Sequence, residues 1–202
     1  MAAALLALAA TACDTGDGEN LPPAGPDQTK SILTTTTASG TTNVSVVDPN
    51  QLGTAPASRS FDVTTVWSDD APIDPKYSCK GANLSPPVSW SNVPEGTVEI
   101  AIVMTDPDAN GFVHWAVAGI PPTAGQAAAD AAIPGAIEGK NDFGDTGYGG
   151  PCPPTGTHTY LMQVYALDKT TGLANGAAGA DLIQAIEANA TDSVTISGTF
   201  AA

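Results

Sequence analysis

From Arg59 onward the chain is a series of short apolar segments with alternating polarity, separated by clusters of Gly, Pro, Asn and Asp. FDVTTVW (Phe61 to Trp67) places Phe61, Val63, Thr65 and Trp67 on one side of an extended strand. VEIAIVMTD does the same with Val98, Ile100, Ile102, Met104 and Asp106. FVHWAVAGI, HTYLMQVYAL and SVTISGTF continue the series. Such a chain buries its apolar faces by stacking sheets, so the pattern predicts a mainly β fold: an antiparallel β-sandwich with one or two short helices appended. ADLIQAIEANA (Ala180 to Ala190) reads as a helix, with Leu182, Ile183 and Ile186 on one stripe and Asp181 near its positive end. QAAADAA is a weaker candidate for a second helix, and SVTISGTF sets a strand after the first.

The chain ahead of Arg59 has a different character. MAAALLALAATAC is an apolar run too short to span a bilayer as a helix, and it reads as the core of an export signal. Ala10-Thr11-Ala12 has the small-x-small form of a signal-peptidase site, and Cys13 follows where a bacterial lipoprotein would carry its lipid. No Lys or Arg stands ahead of the run, and Ala10 stands where lipoprotein signals usually have Leu. Residues 13–58 are rich in Thr, Pro, Gly, Asp and Asn, a composition that cannot bury enough apolar surface to order itself. The expected organisation is therefore an export signal over 1–12, a disordered tether over 13–58 and one domain over 59–202. Within the tether, TTNVSVV (Thr41 to Val47) is the piece able to add a strand. The expected location is the cell envelope, with the chain lipid-anchored at Cys13, or periplasmic or secreted.

An exported chain meets an oxidising compartment, where three cysteines are an awkward number. If Cys13 carries lipid, Cys79 and Cys152 are left to form a disulfide; the alternative is two buried thiols. Charge narrows the partners further. With 21 acidic and 6 basic residues and a net charge of -15, the chain has no basic stripe to neutralise phosphates, which excludes a nucleic-acid partner.

The two histidines stand where apolar residues are expected. Strict alternation puts His114 with Phe112, Ala116 and Ala118, opposite Val113, Trp115 and Val117, so both faces of that strand are apolar. A histidine there needs hydrogen-bond partners. His158 and Tyr160 leave one face of another strand just after the Gly/Pro-rich GYGGPCPPTG, and Asp106 ends a third strand. Strand ends converge at the rims of a sandwich, so these four side chains are candidates for one shallow pocket. Two imidazoles and a phenol suit phosphate or carboxylate oxygens, and a carboxylate can fix an imidazole tautomer. The same residues include the two histidines and one acid of an iron-oxygenase-type metal triad. Against that stand the lack of a close His-x-Asp pair and the tyrosine with its proline rim, so no metal and no cofactor is expected. Serine hydrolysis lacks its G-x-S-x-G elbow, and no enzymatic activity is expected.

YSCKGANLSPPVSWSNVPEGT, DPDANGFVHWAVAGIP, GKNDFGDTGYGGPCPPTGTHTYLMQVYALD and the terminal helix and strand resemble the phosphatidylethanolamine-binding protein family. The likeness is to its bacterial and archaeal branch labelled Raf kinase inhibitor-like, over about Phe61 to Phe200. The resemblance implies a β-sandwich with a small anion pocket formed by Asp106, His114, His158, Tyr160 and Pro153, with Asp108 as a neighbour. It implies as partner an anionic small molecule or phospholipid head group, bound without catalysis, or alternatively an enzyme target, here an extracytoplasmic one such as a protease. Two positions depart from the family pattern. Thr159 replaces the usual Arg between the His and the Tyr, and Asn110 replaces a proline after DPDA, which is expected to loosen that turn.

Overall fold

The computed structural model describes residues 33–38, 41–46 and 60–202, which fall into two compact units, Met1–Ala57 and Ser58–Ala202. In the first unit, β1 (Leu33–Ala38) and β2 (Thr41–Val46) form an antiparallel pair, from Leu33 opposite Val46 to Ala38 opposite Thr41. The segment read as able to add a strand is thus β2, paired inside the stretch expected as a tether. The export signal, Cys13 and the rest of the tether lie outside the described residues. Among the described residues, no helix is long and apolar enough to cross a membrane.

In the second unit the alternating segments become strands close to their expected places. These are β3 (Asp62–Thr65), β4 (Ala71–Pro72), β5 (Val88–Ser91), β6 (Glu99–Asp106), β7 (Phe112–Ile120), β8 (Gln126–Ala127), β9 (Ile137–Glu138), β10 (Thr157–Leu167) and β11 (Ala190–Ala201). A six-stranded sheet runs β4-β11-β10-β6-β7-β9, antiparallel except for the β4–β11 pair, and a three-stranded antiparallel sheet runs β3-β5-β8. The two sheets enclose one core. Ile100, Ile102, Met104, Met162 and Val164 from the larger sheet meet Val88, Trp90 and Ala127 from the smaller.

The other face of the six-stranded sheet is covered by α1 (Gly179–Asn189), whose Leu182 and Ile186 pack on Ala101, Val103, Val113, Ala116 and Tyr165. β6 is therefore buried on both sides and carries an unbroken apolar run rather than alternation. Its bulkier residues face the opposing sheet, and Ala101 and Val103 leave room for the helix. Full burial of Ile100, Ile102 and Met104 stabilises the fold by about 1.5–3 kcal/mol each.

Two expectations are corrected. QAAADAA contains no helix: Gln126 and Ala127 form β8, which pairs with Ser89 and Val88, and Asp130 has a positive φ of 48°. The alanines favour a helix, but burial of Ala127 in the inter-sheet core outweighs that local preference. Strict alternation also fails in β7. Thr105 pairs with Val113 but Met104 pairs with Trp115, so His114 is the extra residue of a β-bulge. Val113 ahead of the bulge and Ala116 and Ala118 past it face the helix, while Trp115 and Val117 face the opposing sheet. His114 does not share a face with Ala116 and Ala118.

Candidate functional site

The site forms where β6 ends, β7 begins and β10 begins, at one edge of the sandwich core. Asp106 is the last residue of β6 and is 3% exposed. Its Oδ1 accepts the Ala109 N–H at 3.0 Å and caps the 3-10 turn Pro107–Ala109. Its Oδ2 accepts from His158 Nδ1 at 2.7 Å. One carboxylate thereby shapes the turn and fixes an imidazole, leaving His158 with the proton on Nδ1 and Nε2 free of protein partners among the described residues.

Asn110 closes that turn at φ 57°. Proline, held near −65°, could not stand there, and Asn is among the residues that tolerate this conformation best. The substitution expected to loosen the turn instead fits its geometry. Asp108 points elsewhere: its Oδ2 accepts the Thr159 N–H at 2.7 Å, tying the turn to the start of β10. Asp108 is not among the residues lining the cavity described below.

The bulge turns His114 toward the same place. Its Nδ1 donates to the Gly149 carbonyl at 2.6 Å, and its own carbonyl accepts the Gly149 N–H at 2.8 Å. The loop that supplies Gly149 is held by Asn141, whose Nδ2 donates to the Gly147 carbonyl and whose Oδ1 accepts from the N–H groups of Phe143 and Asp145. His114 is 2% exposed, and burial holds its imidazole below the usual value, against the opposing pull of the Gly149 carbonyl and of Asp106. The ring stands edge-on to Tyr160 at 5.2 Å and to Phe143 at 5.5 Å between centroids.

Tyr160 lies behind the histidines. Its hydroxyl is buried and has no hydrogen-bond partner among the described residues. Burial, reinforced by the neighbouring charge of Asp106, pushes its ionisation well above that of an ordinary phenol, so the group is an O–H donor at any physiological pH.

These side chains enclose a cavity of about 250 Å3 lined by Asp106, Ala109, Phe112, His114, Phe143, Cys152, Pro153, Pro154 and His158. The structure thus brings together five of the six residues singled out from sequence, with Tyr160 as the layer behind and Asp108 outside. Three features of the site escaped sequence reasoning. Phe112 and Phe143 stand as a T-shaped pair at 4.8 Å, Phe143 being half exposed in a glycine-rich loop. An aromatic with so many glycines around it was the available signal. The Gly149 carbonyl carries no side-chain signature at all. Cys152 was singled out for pairing alone, and it does pair with Cys79 (S–S 2.09 Å), but it also lines the cavity.

The rim is tied to a distant segment of the chain. Besides the disulfide, the Cys79 N–H donates to the Pro151 carbonyl, the Gly150 N–H to Asn83 Oδ1, and the Tyr148 hydroxyl to the Tyr77 carbonyl. Among the described residues, no group of three or more His, Cys, Asp or Glu is arranged to hold a metal ion. The two histidines and Asp106 of the metal-triad pattern do meet, but Asp106 is engaged by His158 and by the turn.

The fold is thus a two-sheet sandwich with a helix on its outer face and a small cavity at one edge. The sequence profile described as "Phosphatidylethanolamine-binding protein" matches residues 63–201, and the chain belongs to that family. A Mycobacterium tuberculosis protein that carries a lipoprotein name, LppC, is 42% identical over 151 residues, 72% of this chain and 75% of the relative. A UPF0098 protein of Methanothermobacter thermautotrophicus is 38% identical over 144 residues, covering 68% of this chain and 95% of its own length. Among solved structures, E. coli YbcL, described as a new member of the mammalian PEBP family, superposes with a TM-score of 0.67 at 32% identity. It covers 71% of this chain and 99% of YbcL.

Proposed function

We propose that this protein is a non-enzymatic binding module that holds a phosphate-bearing or other anionic small ligand in the cavity between His114 and His158. The observation that carries the reading is the unpartnered polarity of that cavity. Among the described residues, the Tyr160 hydroxyl behind the cavity is buried without a hydrogen-bond partner, and each imidazole is bonded through Nδ1 while Nε2 has no protein partner. Buried polar groups are rarely left so unless a ligand or water completes them. In the imidazolium form His158 offers Nε2–H, and Pro153 and Pro154 give the mouth a rigid rim. Asp106 acts as a positioning residue for His158.

The chain is carried at the cell envelope by lipid on Cys13, a reading supported by the form of the N-terminal segment and by the lipoprotein name of one relative. A phospholipid head group is then within reach of the same cavity.

Titration of the domain with inorganic phosphate, phosphoethanolamine and acetate, followed through the two imidazole NMR signals, tests the binding reading. Both signals are expected to move; silence in both would overturn it. Mass spectrometry of the mature protein tests the lipid on Cys13.

A further inference from the structure

β8 is an outer strand of the smaller sheet, and it pairs only with β5. The Trp90 N–H donates to the Gly125 carbonyl, which makes Val88 and Ala127 the next bonded pair and Ser89 and Gln126 the unbonded pair between them. The N–H and C=O of Gln126 therefore point away from the sheet. Folded proteins usually cover or charge such an edge. Here it borders a cavity of about 430 Å3, with the chain from Pro121 to Ala128 on one side and from Ala131 to Pro134 on the other. No charged residue lines it. Ala127 is buried in the inter-sheet core and Ile133 packs against that core, so both sides are anchored, while the small side chains of Ala124, Ala131 and Ala132 leave the groove unfilled.

Ala131 and Ala132 also line a second cavity, of about 310 Å3 and opposite character. Asp130 and Glu138 supply its charge, and Asn83, Ser85 and Thr146 add polar atoms. No Lys or Arg lines it, and neither carboxylate is in an ion pair among the described residues. Both acids are held in place by neighbours. Glu138 Oε1 accepts the Trp115 Nε1–H at 3.0 Å, and the Asp130 N–H donates to Ser85 Oγ at 3.0 Å. Ala131 and Ala132 thus border an apolar groove with a free backbone edge and an acidic cavity beside it. None of these residues lines the cavity between His114 and His158.

We infer that this face docks an extended segment of a partner protein. The segment adds a strand beside β8 through the Gln126 N–H and C=O, seats an apolar side chain against Ile133, and sets a Lys or Arg side chain on Asp130 and Glu138. Main-chain bonds at an open sheet edge supply affinity in such docking, and pockets for alternate side chains supply selectivity. Charge decides the kind of partner. An acidic side chain would face two unpaired carboxylates, and the net charge of -15 favours the approach of basic segments. Docking here is independent of anion binding at the other cavity.

A random heptapeptide library displayed on phage and panned against the full chain provides the test. Enriched peptides are expected to carry Lys or Arg close to an apolar residue and, made synthetically, to shift the amide NMR signals of Gln126 and Glu138. The double variant Asp130→Asn, Glu138→Gln keeps an oxygen to accept from Trp115 and removes both charges; it is expected to bind these peptides about tenfold or more weakly. N-methylation of the peptide amide that meets the Gln126 carbonyl is expected to weaken binding roughly fivefold. Failure to enrich, enriched peptides without a basic residue, an affinity unchanged in the double variant, or a methylation scan without a loss at any amide would each overturn the docking site. Self-association of the free protein in sedimentation, abolished by the double variant, would make a second copy the occupant and overturn the assignment to a partner. Where the double variant does not fold, the amide shifts and the methylation scan on the wild-type protein decide the matter.

Discussion

Asp106 and His158 meet at 2.7 Å across the ends of two adjacent strands, and the same carboxylate caps the turn that leads away from its own strand. The two duties can be separated by substitution. Asp106→Asn keeps an oxygen able to accept from Ala109 but loses the charge on the His158 bond, worth about 1.5–3 kcal/mol for a hydrogen bond to a charged group. Asp106→Ala also loses the cap, about 1 kcal/mol more. Urea denaturation is expected to rank stability as wild type above Asp106→Asn above Asp106→Ala, with phosphate affinity reduced in both variants; equal midpoints for the two variants would remove the capping role.

His114 gives the domain a pH dependence of definite sign. Its folded-state value lies below the ordinary 6.5 because of burial, so the unfolded chain binds the extra proton first. Stability therefore falls as pH drops below about 6.5, through the window down to the depressed folded value. Denaturation midpoints across mildly acidic pH are expected to fall less steeply for His114→Gln than for the wild type. Parallel slopes would show that His114 is not held neutral.

Glu99 contributes the opposite sign. It is 6% exposed, its Oε1 accepts the Thr171 N–H at 3.1 Å, and burial raises its ionisation above the usual 4.5. Stability from this group is lost as pH climbs from about 4.5 through the raised value, because ionisation is easier in the unfolded chain. Glu99→Gln keeps the acceptor and removes the charge. Its stability relative to wild type is expected to improve from acidic to neutral pH, as read by thermal melts at the two ends of the range.

Gly150 has no room for a side chain. A Cβ there would collide with the Tyr77 carbonyl oxygen and lie 2.7 Å from Asn83 Oδ1 and 2.9 Å from Ser78 Cα. Gly150→Ala is expected to cost about 1–3 kcal/mol and to disturb the His114 signal, since the adjoining Gly149 carbonyl holds that ring. A folded variant with an unshifted His114 resonance would show that the rim and the imidazole are not coupled.

The Cys79–Cys152 bond spans 73 residues of chain and joins the cavity lining to the segment around Tyr77. Its removal is expected to destabilise the domain by about 2–4 kcal/mol. Urea titrations of the oxidised protein and of the protein reduced with a dithiol measure this directly. Coincident curves would exclude the bond as a source of stability.

Much of this protein was readable before any coordinates. The strand-forming segments and the helix carrying Leu182 and Ile186 follow from local patterns, whereas the pairing of Cys79 with Cys152 was an expectation conditional on lipid at Cys13, and Asp106, His114 and His158 were only candidates for one strand-end pocket. Side-chain faces repeat every two residues in a strand and about every 3.6 in a helix, and apolar burial enforces that repeat. Tertiary structure alone decided the rest. β4, β8 and β9 are two residues long and exist only because a neighbouring strand completes their hydrogen bonds. The bulge at His114 is a mismatch between β6 and β7, and one inserted residue reverses the face of everything on one side of it. The Gly149 carbonyl that fixes the His114 tautomer, and the half-exposed Phe143 beside it, arrive on a loop whose path is set by Asn141 and by the ties to Tyr77 and Asn83. Sequence chose which side chains could do chemistry, because each carries its own donors and acceptors. Only long-range pairing decided which of those donors and acceptors the fold uses up and which it leaves free.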